Sequence, residues 1–160
     1  MIENETQMID VSAKEITARE AVAEGFIAMQ AQTMQMVQTN TLPKGNALET
    51  SRVAAIMAAK STPQIIPLCH PLLICHASCE FEFFSHNQTG QIRVQTRVRC
   101  AGQTGVEMEA LAACSIALLT IYDMTKGVDE TLEISSIRLL EKRGGKSGNF
   151  VRDKGPAKHL

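Results

Sequence analysis

Two stretches of strict alternation organise the middle of the chain. Ala77, Cys79, Phe81 and Phe83 alternate with Ser78, Glu80, Glu82 and Phe84, and Ile92, Val94, Thr96 and Val98 alternate with Arg93, Gln95, Arg97 and Arg99. Joined by His86-Asn87-Gln88-Thr89-Gly90, these period-2 runs predict an antiparallel hairpin with one face on the core. Thr104 and Glu107 then show capping-box spacing and open an apolar helix reaching about Met124. Upstream, residues 30–37 predict a short Met-lined helix, and Asn46 caps a helix through Lys60 that Pro63 stops. Residues 132–140 read as a last strand, followed by Gly144-Gly145-Lys146-Ser147-Gly148 and a basic tail. Residues 11–29 are ambiguous. Ser12 with Glu15 suits a helix start, whereas Ile16, Ala18, Val22, Phe26 and Ala28 share one parity, as in a strand. With that segment taken as a strand, the order is β-α-α-β-β-α-β. This is an α+β ferredoxin-like sandwich: a four-stranded antiparallel sheet with helices on one face, one of them added. No repeat or linker interrupts it, so residues 1–160 are expected to form a single domain, with 1–8 and 151–160 flexible.

Composition narrows the classes. With 44% hydrophobic and 21% charged residues the chain is ordinary for a globular domain, which excludes a fibrous or disordered protein. The net charge of −1 argues against a globally basic nucleic-acid or membrane-surface binder. That balance hides a cationic end, where Arg138, Lys142, Arg143, Lys146, Arg152, Lys154 and Lys158 face only Glu141 and Asp153. Five cysteines form an odd set, and no basic-then-apolar leader opens the chain, so a cytoplasmic protein without a disulfide framework is expected. The apolar stretches are too short or too interrupted to suggest a bilayer span.

Several segments carry chemistry. In Ile66-Pro67-Leu68-Cys69-His70-Pro71-Leu72 two prolines restrict the backbone around a Cys-His pair, which suits either a ligand-contacting loop or a packed one. Cys75, His76 and Cys79 follow closely and raise the question of zinc. No Cys-x-x-Cys occurs, however, and Cys75 and His76 fall on opposite faces of a strand, so metal is disfavoured. Asp123 and Lys126 share a helix face, as a terminal ion pair or as an acid/base pair. The glycine-lysine segment is not a Walker A loop, because Leu140 stands where its first glycine belongs, but it can form an anion-binding nest. Arg93, Arg97 and Arg99 suggest an alternative, a phosphate- or RNA-binding module. The face that carries them lacks aromatic residues to stack bases, so small polyanions fit better than RNA.

Taken in order, Met8-Ile9-Asp10-Val11-Ser12, Pro43-Lys44-Gly45, residues 66–72, Thr104-Gly105-Val106-Glu107-Met108-Glu109-Ala110-Leu111, Leu119-Thr120-Ile121-Tyr122-Asp123-Met124 and the glycine-lysine segment closely resemble the MoaC family of molybdenum cofactor biosynthesis. The resemblance covers about residues 8–150. It implies an enzyme that converts 3′,8-cyclo-7,8-dihydroguanosine 5′-triphosphate to cyclic pyranopterin monophosphate with release of pyrophosphate. By the same likeness it needs no metal or organic cofactor. Its partners would be a small-molecule substrate and further copies of itself, in a hexamer built as a trimer of dimers with active sites at the dimer interface. The resemblance also makes residues 16–29 a strand. It implies that Lys44, Asp123 and Lys126 are catalytic, and that Leu68, Cys69, His70, Met108 and Glu109 hold substrate with help from Glu107. Arg19, Lys142 and Lys146 would face the phosphates. The chain departs from the pattern at Asn46, where an acid is common, and at Gln103 and Thr125, where Lys and Cys are frequent; Gln103 would weaken phosphate attraction.

Overall fold

The computed structural model describes residues 5–153; of the ends expected to be flexible, 1–8 and 151–160, residues 1–4 and 154–160 lie outside the described residues. In chain order the elements are β1 (Thr17–Gln30), α1 (Ala31–Gln38), α2 (Ala47–Ile65), β2 (Ile74–His86), β3 (Thr89–Gly102), α3 (Glu107–Thr125), β4 (Glu133–Arg143) and β5 (Phe150–Val151). The class is α+β, with three helices and one open sheet in the order β2-β3-β1-β4-β5, every neighbouring pair antiparallel. The expectation of four strands is corrected to five. Past Arg143 the chain turns through its glycines and returns as β5, so that Phe150 pairs with Lys142 and Val151 with Glu141. Two residues in a basic tail carry no periodicity, and nothing local announces such a strand.

β1 is central, and this explains its ambiguous sequence. Ala21, Ala23, Ile27 and Met29 face the core under the helices, while Val22, Glu24, Phe26 and Ala28 on the other face are buried as well. A strand buried on both faces loses the alternation that would identify it. On the helix-facing side Gly25 is small because α3 lies close above it. A Cβ on Gly25 would come within 2.6 Å of Leu118 Cδ1. Ile27 and Ile92 stand opposite each other in β1 and β3, and Ile134 of β4 flanks Ile27 from the other side. Above this row, Cys114, Ala117, Leu118 and Ile121 of α3 are fully buried. Burying one side chain of Leu118's size contributes about 1.5–3 kcal/mol. α3 is long and apolar enough to cross a bilayer by length and composition, but half of it is buried here as the core helix, packed on α2 and the sheet.

Helix boundaries follow the local chemistry with two differences. Asn46 caps α2 as expected, its side-chain oxygen accepting from the Glu49 N–H at 3.0 Å. Pro63 does not stop that helix, which continues to Ile65, because so near the C-terminus the missing N–H leaves a single carbonyl without its bond. At α3 the Thr104–Glu107 capping box does not form. Val106 is the N-cap, without a side-chain cap, and the Glu107 carboxylate turns to Lys142 instead.

The open face of the sheet is ionic. Glu24, almost fully buried, receives Arg93 at 2.7 Å and Arg138 at 2.7 Å. Glu20 receives Arg97 at 2.7 Å and lies 3.8 Å from Arg99, and Glu82 receives Arg93 at 3.0 Å. On this face Arg97 stands opposite Val22 and Arg93 opposite Phe26, and both arginine heads are held by acids.

Candidate functional site

The loop after α2 and the start of α3 form a recess of about 470 Å³. Leu68, Cys69 and His70 come from the loop, and Met108 and Glu109 from the first turn of the helix. Pro67 and Pro71 restrict the loop, and the Cys69 N–H donates to Ile66 O at 3.1 Å, closing a turn before the pair. Glu109 is 3% exposed and has no ion-pair partner among the described residues. Burial, reinforced by neighbouring Glu107 and opposed by its own backbone amide, pushes its carboxyl above the usual range. Burial likewise raises the Cys69 thiol, with Glu109 adding to the effect, so Cys69 is a protonated, polarisable wall rather than a thiolate.

A second recess of about 520 Å³ shares Lys14, Thr104, Gly105 and Glu107 with the first, and adds Arg19, Lys142 and Lys146. Lys142 Nζ lies 2.8 Å from Glu107 Oε1. Arg19 donates through Nε to Gly102 O at 3.3 Å and through Nη2 to Gln103 O at 3.4 Å, which leaves Nη1 directed elsewhere. The β4–β5 turn carries Lys146, and its geometry demands glycine. Gly144 has φ +93° and Gly145 φ +82°, and a Cβ on Gly145 would fall 1.6 Å from Arg19 Nη1. The glycines therefore permit a left-handed turn and also let its backbone press against the guanidinium. Joined recesses, one apolar with a buried acid and one cationic, suit a molecule with a ring at one end and phosphates at the other.

Lys44, Asp123 and Lys126 form a separate cluster. Asp123 Oδ2 accepts from Lys44 Nζ at 2.8 Å and Oδ1 lies 2.8 Å from Lys126 Nζ; Lys44 also donates to the Asp123 carbonyl at 2.8 Å. The Lys126 and Lys44 hydrogen bonds, in that order, lower the Asp123 carboxyl to about 2, and Asp123 in turn raises Lys126. The cluster is solvent-exposed and stands at the C-terminal end of α3, whereas Glu107 and Glu109 stand at its start. At 1.5 Å per residue the two ends are about 24 Å apart. Within one chain, then, the recess residues come together and the lysine–aspartate cluster does not join them.

Sequence reasoning overlooked the segment before β1. Gln7, Ile9, Val11 and Lys14 line the first recess, and Gln103 lines the second. The segment has no periodicity, and what places it is a pair of long-range bonds from Gln103 Nε2, to Lys14 O at 2.9 Å and Ser12 O at 3.3 Å. Of the hairpin arginines of the alternative reading, Arg93 and Arg97 are engaged with Glu24, Glu82 and Glu20, whereas Arg99 is exposed and lies 3.8 Å from Glu20. Of the cysteines weighed for zinc, Cys79 is a core residue whose thiol burial pushes up to about 12, and Cys75 is exposed at the start of β2.

The MoaC family model matches residues 8–145. A protein of Chloroflexus aurantiacus named cyclic pyranopterin monophosphate synthase is 53% identical over 146 residues, 91% of this chain and 88% of that one. Proteins of the same name from Roseiflexus sp. and Desulfitobacterium hafniense are 49% and 50% identical over 92% and 94% of this chain, and over 92% and 91% of their own lengths. With a family model spanning most of its length and about half of its residues shared with these relatives, the chain belongs to the MoaC family.

Proposed function

We propose that this protein is a cyclic pyranopterin monophosphate synthase of molybdenum cofactor biosynthesis, converting 3′,8-cyclo-7,8-dihydroguanosine 5′-triphosphate to cyclic pyranopterin monophosphate and pyrophosphate. The observation that carries the reading beyond the family name is the pair of joined recesses, with Glu109 buried in one and Arg19, Lys142 and Lys146 in the other. Leu68, Cys69, His70 and Met108 hold the ring system, Glu109 and Glu107 hold its amino and amide groups, and the three cations receive the triphosphate. As pyrophosphate leaves, negative charge builds on the departing oxygens, and fixed cations stabilise that state more than the ground state.

Lys44 and Lys126 supply the proton transfers, with Asp123 between them. Asp123, with a pKa of about 2, stays a carboxylate at working pH, so it orients the two ammonium groups rather than accepting a proton. Because this cluster stands far from the recesses along α3, a complete site needs the cluster of one copy beside the recesses of another. This supports the family's arrangement, a homohexamer built as a trimer of dimers with sites at the dimer interface. We read the fold as ferredoxin-like, β2-β3-β1-β4 forming its sheet and β5 an addition, in a single-domain subunit. The five unpaired thiols fit a reducing cytoplasm.

Incubation of the purified protein with the cyclised nucleotide tests the reading. Pyrophosphate and a pterin product are expected; tight, salt-sensitive RNA binding without turnover would replace the enzyme with the binding-module alternative.

A further inference from the structure

Gln103 lies where the recesses and the segment before β1 meet. A glutamine amide has two N–H groups, and here Nε2 reaches two carbonyl oxygens, Lys14 O at 2.9 Å and Ser12 O at 3.3 Å. Gln103's main-chain carbonyl accepts from Arg19 Nη2 at 3.4 Å. One residue thereby links the segment to the cation that lines the second recess. Two further hydrogen bonds in the segment, the Lys14 N–H to Val11 O at 2.9 Å and the Ser12 N–H to Asp10 Oδ1 at 2.8 Å, are internal turns that do not anchor it to the sheet. The segment is exposed and irregular, yet Ile9 and Val11 wall one recess and Lys14 lines both. A wall of that kind holds its position only as well as its anchor does.

We propose that Gln103 is a positioning residue, clamping the 12–14 turn so that the segment forms one wall of the substrate recess and Lys14 stands between its two halves. The proposal rests on the assignment of both recesses to the substrate. It recasts the departure at this position: the glutamine's neutral amide is a clamp on the backbone in place of a direct phosphate cation.

Gln103→Met keeps the length and removes both donors, and Gln103→Ala removes them with a smaller side chain. Amide hydrogen exchange without substrate should quicken over residues 5–16 in both variants and stay unchanged in α3. Steady-state turnover should show KM raised about tenfold with kcat within about twofold, the pattern of lost uniform binding. Combining Gln103→Met with Lys14→Ala should raise KM no further than the larger single effect, because loss of the clamp already displaces Lys14. Unchanged exchange in the segment, an unchanged KM, or strictly additive effects would each overturn the proposal. Should the wild-type protein fail to turn over the nucleotide, the functional reading falls while the exchange measurement still decides whether the clamp exists.

Discussion

Asp123 holds one ammonium group on each carboxylate oxygen, both at 2.8 Å, and this double pairing decides what the cluster can do. A carboxylate lowered to about 2 keeps its charge, and the associated stabilisation, at every pH above its ordinary 3.8; both are lost only as pH falls through 2. Its titration therefore leaves no acid limb in the pH–rate profile above pH ~4. Asp123→Asn should lower kcat by about 100-fold or more across that range, by freeing both lysines, while the thermal melt barely moves, since the pair is exposed. Glu109 is the opposite case. Its carboxyl is raised in the folded chain, so the ionised form costs stability above that raised value, and the cost disappears below the ordinary 4.5. Glu109→Gln should therefore raise Tm near pH 7, with the gain closing as pH drops below about 4, and should lose activity. A Tm gain that persists in acid would mean that packing rather than charge sets the effect.

Among the elements, α3 and the β4–β5 turn do most to shape the site. α3 presents Glu107, Met108 and Glu109 at one end and Asp123 and Lys126 at the other, with an apolar middle packed on β1. The turn sets Lys146 beside Arg19 through two left-handed glycines. Gly145→Ala would impose about 1–2 kcal/mol of backbone strain and drive a methyl group into Arg19. We expect a modestly lower Tm and a loss in kcat/KM larger than that strain explains, read by melting and steady-state kinetics on the same preparation. The hairpin, α3 and the Asn46 cap were legible in the sequence because alternation, helical apolar content and cap chemistry are local signals. β1 was obscured by burial on both faces, and β5 by being too short to carry a period. At the start of α3 the cap failed because Glu107 finds a stronger partner in Lys142, far away in sequence.

For the whole molecule, the proposed function requires groups at opposite ends of α3 to meet. The residues were legible as chemical types and through family resemblance, yet neither states distance. Spacing in the chain says nothing of the 24 Å or so that separates Glu107 from Asp123 along the helix axis. The recess wall before β1 was equally hidden, because two hydrogen bonds from Gln103 place it rather than any pattern. A net charge of only −1 is compatible with this arrangement, since acids on the open sheet face occupy Arg93, Arg97 and Arg138, while among the recess cations Lys142 pairs with Glu107. The central claim is that each site joins the recesses of one copy to the lysine–aspartate cluster of another, and subunit complementation tests it directly. Asp123→Asn and Arg19→Ala proteins, each inactive alone, are to be mixed, dissociated and reassembled, and turnover of the cyclised nucleotide measured. Random pairing across a two-fold interface leaves one intact site in each mixed dimer, so about a quarter of wild-type activity should return. A mixture as inactive as its components, with mixed oligomers demonstrably formed, would contradict the account.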